Sequence, residues 1–124
     1  MWRAVEEREH TRQKYIEVAG RYVDALAELL APLTGILYGS VARGDFNFWS
    51  DIDVAIIADR LPEHPLRRAE VLFGNVPPGV EPKGFTRREF LRLVEKGHPF
   101  ARELLQHGIV LRDDLHLWCR APGN

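Results

Sequence analysis

Cysteine is almost missing from this chain. Cys119 is the one cysteine among 124 residues, so no internal disulfide can form and a cluster of thiolate metal ligands is excluded. A reducing, cytoplasmic location is the matching expectation. Long apolar runs are missing as well. None approaches the length of a membrane span, and the opening "MWRAVEEREH" is too charged for a secretory signal. Positive charge is not in excess: 17 Lys and Arg stand against 18 Asp and Glu, for a net charge of −1 and a pI near 6.5. That balance lacks the basic footprint needed to grip the phosphates of a long nucleic acid, but it leaves room for a small anionic ligand in a local site. The five histidines fall at no metal-ligand spacing along a helix and read as surface residues or helix termini. No repeat, low-complexity stretch or linker divides the chain.

What is present is an ordinary globular composition, 45% hydrophobic and 28% charged, at a length that suits one domain with a real core. From about Arg3 to Ala31, the residues Ile16, Ala19, Val23, Leu26, Ala27 and Leu30 recur three and four apart. They predict a long helix with one buried face, ended by Pro32 and Gly35. Ile36 to Tyr38 then reads as a short strand running into Gly39 and Ser40, with "VARGD" as a helical turn and "FNFW" as a loop. "DIDVAIIA", Asp51 to Ala58, is the clearest strand. It alternates at first and then turns wholly apolar, as a central strand does when both its faces are covered.

Pro65 suits the first turn of a short helix reaching Phe73, and Val80 to Phe85 is extended, with Pro82 confining it to an edge. Thr86 and Glu89 form a capping box that opens a helix toward Gly97. "PFARELLQHG" is a further helix, followed by a strand from Ile109 to Leu111. The order is that of a single α/β (α+β) domain over residues 1–112, a mixed layer of sheet and helices with the helix of residues 1–31 packed on it. The tail, 113–124, carries few apolar residues and is expected to be mobile.

Side chains alternate along a strand, so Asp51 and Asp53 are expected on one face, with Ile52, Val54 and Ile56 on the other. Two carboxylates roughly 6–7 Å apart repel by about 2–3 kcal/mol at an effective dielectric near 20. Three arrangements relieve that cost: screening by water, pairing with arginine, or a shared divalent cation. Hard carboxylate oxygens beside substrate phosphates are the usual surroundings of Mg²⁺ in phosphoryl-transfer sites. The Gly-Ser pair suits the other half of such a site. A strand that ends in Gly-Ser and turns at once into a helix points unbonded backbone N–H groups outward. Gly39 permits close approach of an anion, and the Ser40 hydroxyl can donate to it. Ser40 reads equally as an ordinary N-cap.

With Gly39-Ser40 followed after ten residues by Asp51-Ile52-Asp53, the chain resembles the minimal nucleotidyltransferases, the smallest members of the DNA polymerase β-like superfamily, whose signature is G-S-x10-D-x-D. The similarity runs from about Leu26 to Leu111. The resemblance implies a mixed sheet with helices packed against one face, and a third acid on a later strand at the position of Glu81 in "GVEPKG". It implies Mg²⁺ held by Asp51, Asp53 and Glu81, in a site for two ions, with ATP as substrate. Gly39, Ser40, Arg43 and Ser50 would lie around the nucleotide. The chemistry implied is transfer of a nucleoside monophosphate from a triphosphate to a hydroxyl, with release of pyrophosphate.

Minimal members of this family also resemble the antitoxin half of toxin–antitoxin pairs. That likeness implies a helical HEPN toxin as partner and AMP transfer to one of its tyrosines. Two other readings stay open: a binding module that neutralises its partner by contact alone, and a nucleotidyltransferase acting on a small molecule such as an aminoglycoside. Association of the chain with itself is open too. Arg43 either steers the triphosphate or pairs with Asp45 or the acids, and Ser50 either orients Asp51 or closes the loop. Lys83 reads as a surface lysine rather than a phosphate ligand, "RRAEV" and "TRREF" as solvated helix faces, and Phe46, Phe48 and Trp49 as packing rather than a shield for nucleotide.

Overall fold

A computed structural model describes residues 2–47 and 50–118. The elements in chain order are α1 (Trp2–Leu30), β1 (Thr34–Tyr38), α2 (Gly39–Arg43), β2 (Ile52–Ile57), α3 (Pro65–Phe73), β3 (Val80–Phe85), α4 (Arg87–Glu95), α5 (Pro99–His107) and β4 (Ile109–Asp113). The capping signals act as the sequence predicts. Thr86 Oγ1 accepts from the Glu89 N–H at 3.2 Å while Glu89 Oε1 accepts from the Thr86 N–H at 2.8 Å, which closes the capping box of α4. Both helices that begin with proline are capped by the preceding histidine. His64 Nδ1 accepts from the Leu66 N–H, and His98 Nδ1 from the Phe100 N–H. No helix among the described residues is long and apolar enough to cross a membrane.

The four strands form one mixed sheet in the order β3-β2-β1-β4. β1 runs antiparallel to both β2 and β4, and β2 runs parallel to β3. Placement at the centre explains the apolar runs, since β1 is buried along its whole length and β2 almost so. Pro82, which has no N–H to give, sits on β3 at the sheet edge as the sequence requires.

Helices cover both faces of this sheet. α1 lays Ala19, Val23, Leu26 and Leu30 against Leu37, Val54 and Ile56, and Leu72 of α3 joins the same cluster. Gly35 lets α1 come this close, because a Cβ there would stand 2.7 Å from the Val23 methyls. The opposite face carries Ile36, Tyr38, Ala55 and Ile57 under Phe90 of α4 and Leu104 of α5. The implied one-sided arrangement is therefore corrected. α4 and α5 follow β3 at the edge of the sheet and fold back over the face that α1 leaves open. Each large aliphatic side chain buried in either layer contributes about 1.5–3 kcal/mol, and the two layers together hold β2 rigid from both sides.

The tail region expected to be mobile begins inside β4. The Asp113 carboxylate accepts from Thr34 Oγ1 at 2.8 Å and from the N–H groups of Leu117 and Trp118 at 3.0 Å, so it satisfies a threonine that is wholly buried. Trp118 then stacks on Phe90, with ring centroids 5.8 Å apart. A single carboxylate thus docks a segment whose apolar content looked too low to dock. Residues 119–124, and with them Cys119, lie outside the described residues, as do Phe48 and Trp49 of the aromatic loop.

Candidate active site

β1 ends at Tyr38 and α2 begins at once with Gly39, which adopts the left-handed conformation with φ 77°. Glycine is needed here on two counts. An L side chain is strained at that φ, and a Cβ would stand 2.3 Å from Asp53 Oδ2. The Asp53 carboxylate therefore lies directly against the Gly-Ser turn. Ser40 is not the N-cap; Tyr38 holds that position and offers no side-chain bond to the helix. The reason is register: the helix starts two residues earlier than a serine cap would place it. Ser40 lies inside the first turn, where backbone N–H groups have no partner within the helix.

The strand pairing assembles the acids. Asp53 is opposite Tyr38 on β1 and opposite Glu81 on β3. Neighbouring positions on paired strands point to the same face, so the Asp53 and Glu81 side chains leave the sheet together, on strands about 4.8 Å apart. β2 starts at Ile52, one residue later than the sequence reading, with the Ile52 N–H bonding the Gly79 carbonyl at 2.8 Å; Asp51 precedes it as an exposed residue whose charge acts on Asp53. Among the described residues none of Asp51, Asp53 and Glu81 takes part in an ion pair. Of the three ways to relieve their repulsion, pairing with arginine is not used.

The electrostatics show the cost. Burial pushes the Asp53 carboxyl above its ordinary range, and the negative charges of Asp51 and Glu81 add to the rise while Lys83 and Arg43 oppose it. Burial also raises the Tyr38 phenol, helped by Asp53, Glu81 and Glu103. Tyr38 and Glu103 are members of this neighbourhood that sequence reasoning missed. Tyr38 had a usable signal in its place next to Gly39. Glu103 had none, since it arrives from α5 across the sheet face.

Arg43 and Ser50 are occupied elsewhere. The Arg43 guanidinium pairs with Asp45 at 3.2 Å and with Glu103, so of the readings open for it pairing with Asp45 is the one observed. Ser50 Oγ accepts from the Asn47 N–H at 2.8 Å and closes the loop instead of orienting Asp51. Two arginines of α1 brace the turn from behind. Arg12 donates to the carbonyls of Val41 and Ala42 at 3.0 and 2.8 Å, and Arg8 donates to those of Gly44 and Phe46. Phe46 is buried, with Tyr15 edge-on to it and Arg8 above its ring, which is packing as expected.

Three carboxylates with hard oxygens and no cationic partners have the chemistry to take a divalent metal ion. The raised Asp53 carboxyl beside Glu81 is a local excess of negative charge that a cation would relieve. As they stand, no three His, Cys, Asp or Glu side chains among the described residues are gathered tightly enough to enclose an ion. One surface groove runs between Asp59 and the arginines of α4, and another is lined by Arg8, Arg12, Arg43 and Phe46.

The profile of the nucleotidyltransferase domain family matches residues 19–114, well over half of the chain and all of the elements just described around the acids. A solved structure from Sulfolobus solfataricus, provisionally named a nucleotidyltransferase, superposes with a TM-score of 0.63 at 18% identity. The match covers 83% of this chain and 84% of the other and establishes a shared fold. No curated protein sequence matches the chain.

Proposed function

The chain belongs to the nucleotidyltransferase domain family, and on that premise we propose that it transfers AMP from ATP to a hydroxyl group. The observation that carries this reading is the juxtaposition of Asp53 and Glu81, in register and outside any ion pair, with the Asp53 carboxylate against Gly39. Asp51, Asp53 and Glu81 would hold Mg²⁺. When bound, the metal neutralises charge on the attacking and departing oxygens of an in-line displacement. Gly39 and Ser40 contribute close backbone approach and a hydroxyl donor to the phosphates. Glu81, exposed at the sheet edge, would be the third ligand or would help deprotonate the acceptor hydroxyl. Catalysis by such a site is mostly positioning and charge balance, since it offers no covalent nucleophile.

For the acceptor we favour a tyrosine of a helical HEPN partner, which makes the protein an antitoxin that silences its toxin by adenylylation. The G-S-x10-D-x-D spacing supports this choice by resemblance to the minimal members of the superfamily. The test is incubation with α-labelled ATP, Mg²⁺ and the co-encoded neighbour. Label is expected on a tyrosine of the neighbour, and the combined change Asp51→Ala with Asp53→Ala should abolish it. Neutralisation that survives this double change would point to inhibition by contact alone. Label on an aminoglycoside, with none on protein, would move the acceptor to a small molecule.

A further inference from the structure

Lys83 is a cation within electrostatic reach of Asp53. It follows Glu81 by two residues on β3, so its side chain leaves the sheet on the face that carries Asp53 and Glu81. Although acids crowd that face, Lys83 is in no ion pair among the described residues. Its ammonium instead stands 5.4 Å from the centroid of the Phe100 ring. Phe100 is itself fixed edge-on to Tyr38 and tilted against Phe85. The other cation nearby, Arg43, is committed to Asp45 and Glu103. The site therefore holds one positive group within electrostatic reach of Asp53 whose three donors are not spent on a carboxylate.

We propose that Lys83 is a nucleotide-contacting residue, whose ammonium moves from the face of Phe100 to a non-bridging oxygen of the bound triphosphate. The inference rests on the nucleotidyl-transfer reading above. A triphosphate brought beside Asp51, Asp53 and Glu81 adds negative charge to a surface that already has an excess, and a cation on the same face offsets it. An ammonium is suited to this as a point charge that needs no bidentate geometry. The half-buried ring holds it in place more weakly than a phosphate would. β3 is an edge strand, so the approach to Lys83 from outside the sheet is not blocked by another strand.

The experiment is calorimetric titration of the full chain with Mg²⁺-ATP at several salt concentrations, for the parent, Lys83→Met, Lys83→Arg and the double change Asp51→Ala with Asp53→Ala. Methionine keeps length and contact with the ring but removes the charge. Lys83→Met is expected to weaken binding about tenfold, to flatten the salt dependence by about one charge, and to melt like the parent without ligand. Lys83→Arg should recover most of the affinity. A loss below threefold, or a larger loss with an unchanged salt dependence, overturns the role of Lys83. If the double carboxylate change still abolishes binding in that case, the nucleotide site itself stands. A parent chain that binds no Mg²⁺-ATP removes the underlying reading, and Lys83 with it.

Discussion

The Asp53 carboxylate fills the space that any side chain at residue 39 would need, with Oδ2 only 2.3 Å from the position of a Cβ on Gly39. This contact joins the two halves of the signature, the Gly-Ser turn and the acidic strand. It also gives the glycine a reason that loop flexibility alone does not.

Gly39→Ala is therefore expected to damage fold and site together. The left-handed φ and the clash with Asp53 should cost about 2–4 kcal/mol. Urea unfolding measures that loss, and titration with Mg²⁺-ATP should show no binding. An unchanged unfolding midpoint would mean that Asp53 does not rest against this turn.

Asp53 itself should oppose folding when no metal is bound. Burial, then Asp51 and Glu81, raise its folded pKa above the ordinary value of 3.8. A group raised in this way stabilises the fold in acid, below its unfolded pKa, and loses that contribution as pH rises through the folded value. After discounting for solvent screening, Asp53→Asn should melt about 2–4 °C higher than the parent at pH 7, with the gain shrinking toward pH 4. Mg²⁺-ATP should raise the melting point of the parent but not of the variant. A gain that grows in acid would reverse the assigned sign.

Asp114 should behave in the opposite way. Burial pushes its carboxyl up, but the Leu33 N–H at 3.1 Å and the Arg112 guanidinium at 3.0 Å outweigh it and hold the pKa below the ordinary range. Its contribution is present above the unfolded pKa and lost as pH falls through the depressed folded value. Asp114→Asn is expected to cost about 1 kcal/mol at neutral pH and almost nothing near pH 2. Urea midpoints at the two pH values check this.

Arg12 ties the N-terminal half of α1 to the carbonyl end of α2. Arg12→Ala should remove two charge-assisted bonds, destabilise the chain by about 1–2 kcal/mol and loosen the Gly-Ser turn. The predicted result is weaker Mg²⁺-ATP binding as well as a lower melting point. Binding that is unchanged despite the lower melting point would separate the brace from the site.

Much of the fold was legible because its signals are local. The spacing of Val23, Leu26 and Leu30 marks the buried face of α1, and Thr86 with Glu89 marks the start of α4. These depend on residues three or four apart, a distance that helix geometry fixes. The docking of residues 113–118 was not legible, because it depends on Asp113 meeting Thr34 across two paired strands. The coverage of both faces was legible from the apolar run of β2, although the implied family arrangement pointed to one face.

The sequence by itself determined the chemistry available: a glycine and a serine at a strand-to-helix turn, two acids at the head of an apolar strand, and a further acid and lysine near a proline. Only the tertiary structure decided which of these meet. The parallel register of β2 and β3 sets Glu81 beside Asp53, whereas a slip of one residue would turn Glu81 and Lys83 to the other face. α5 brings Glu103 to Arg43 and Phe100 to Lys83. Such meetings join residues distant along the chain, and the buried faces of the sheet select them.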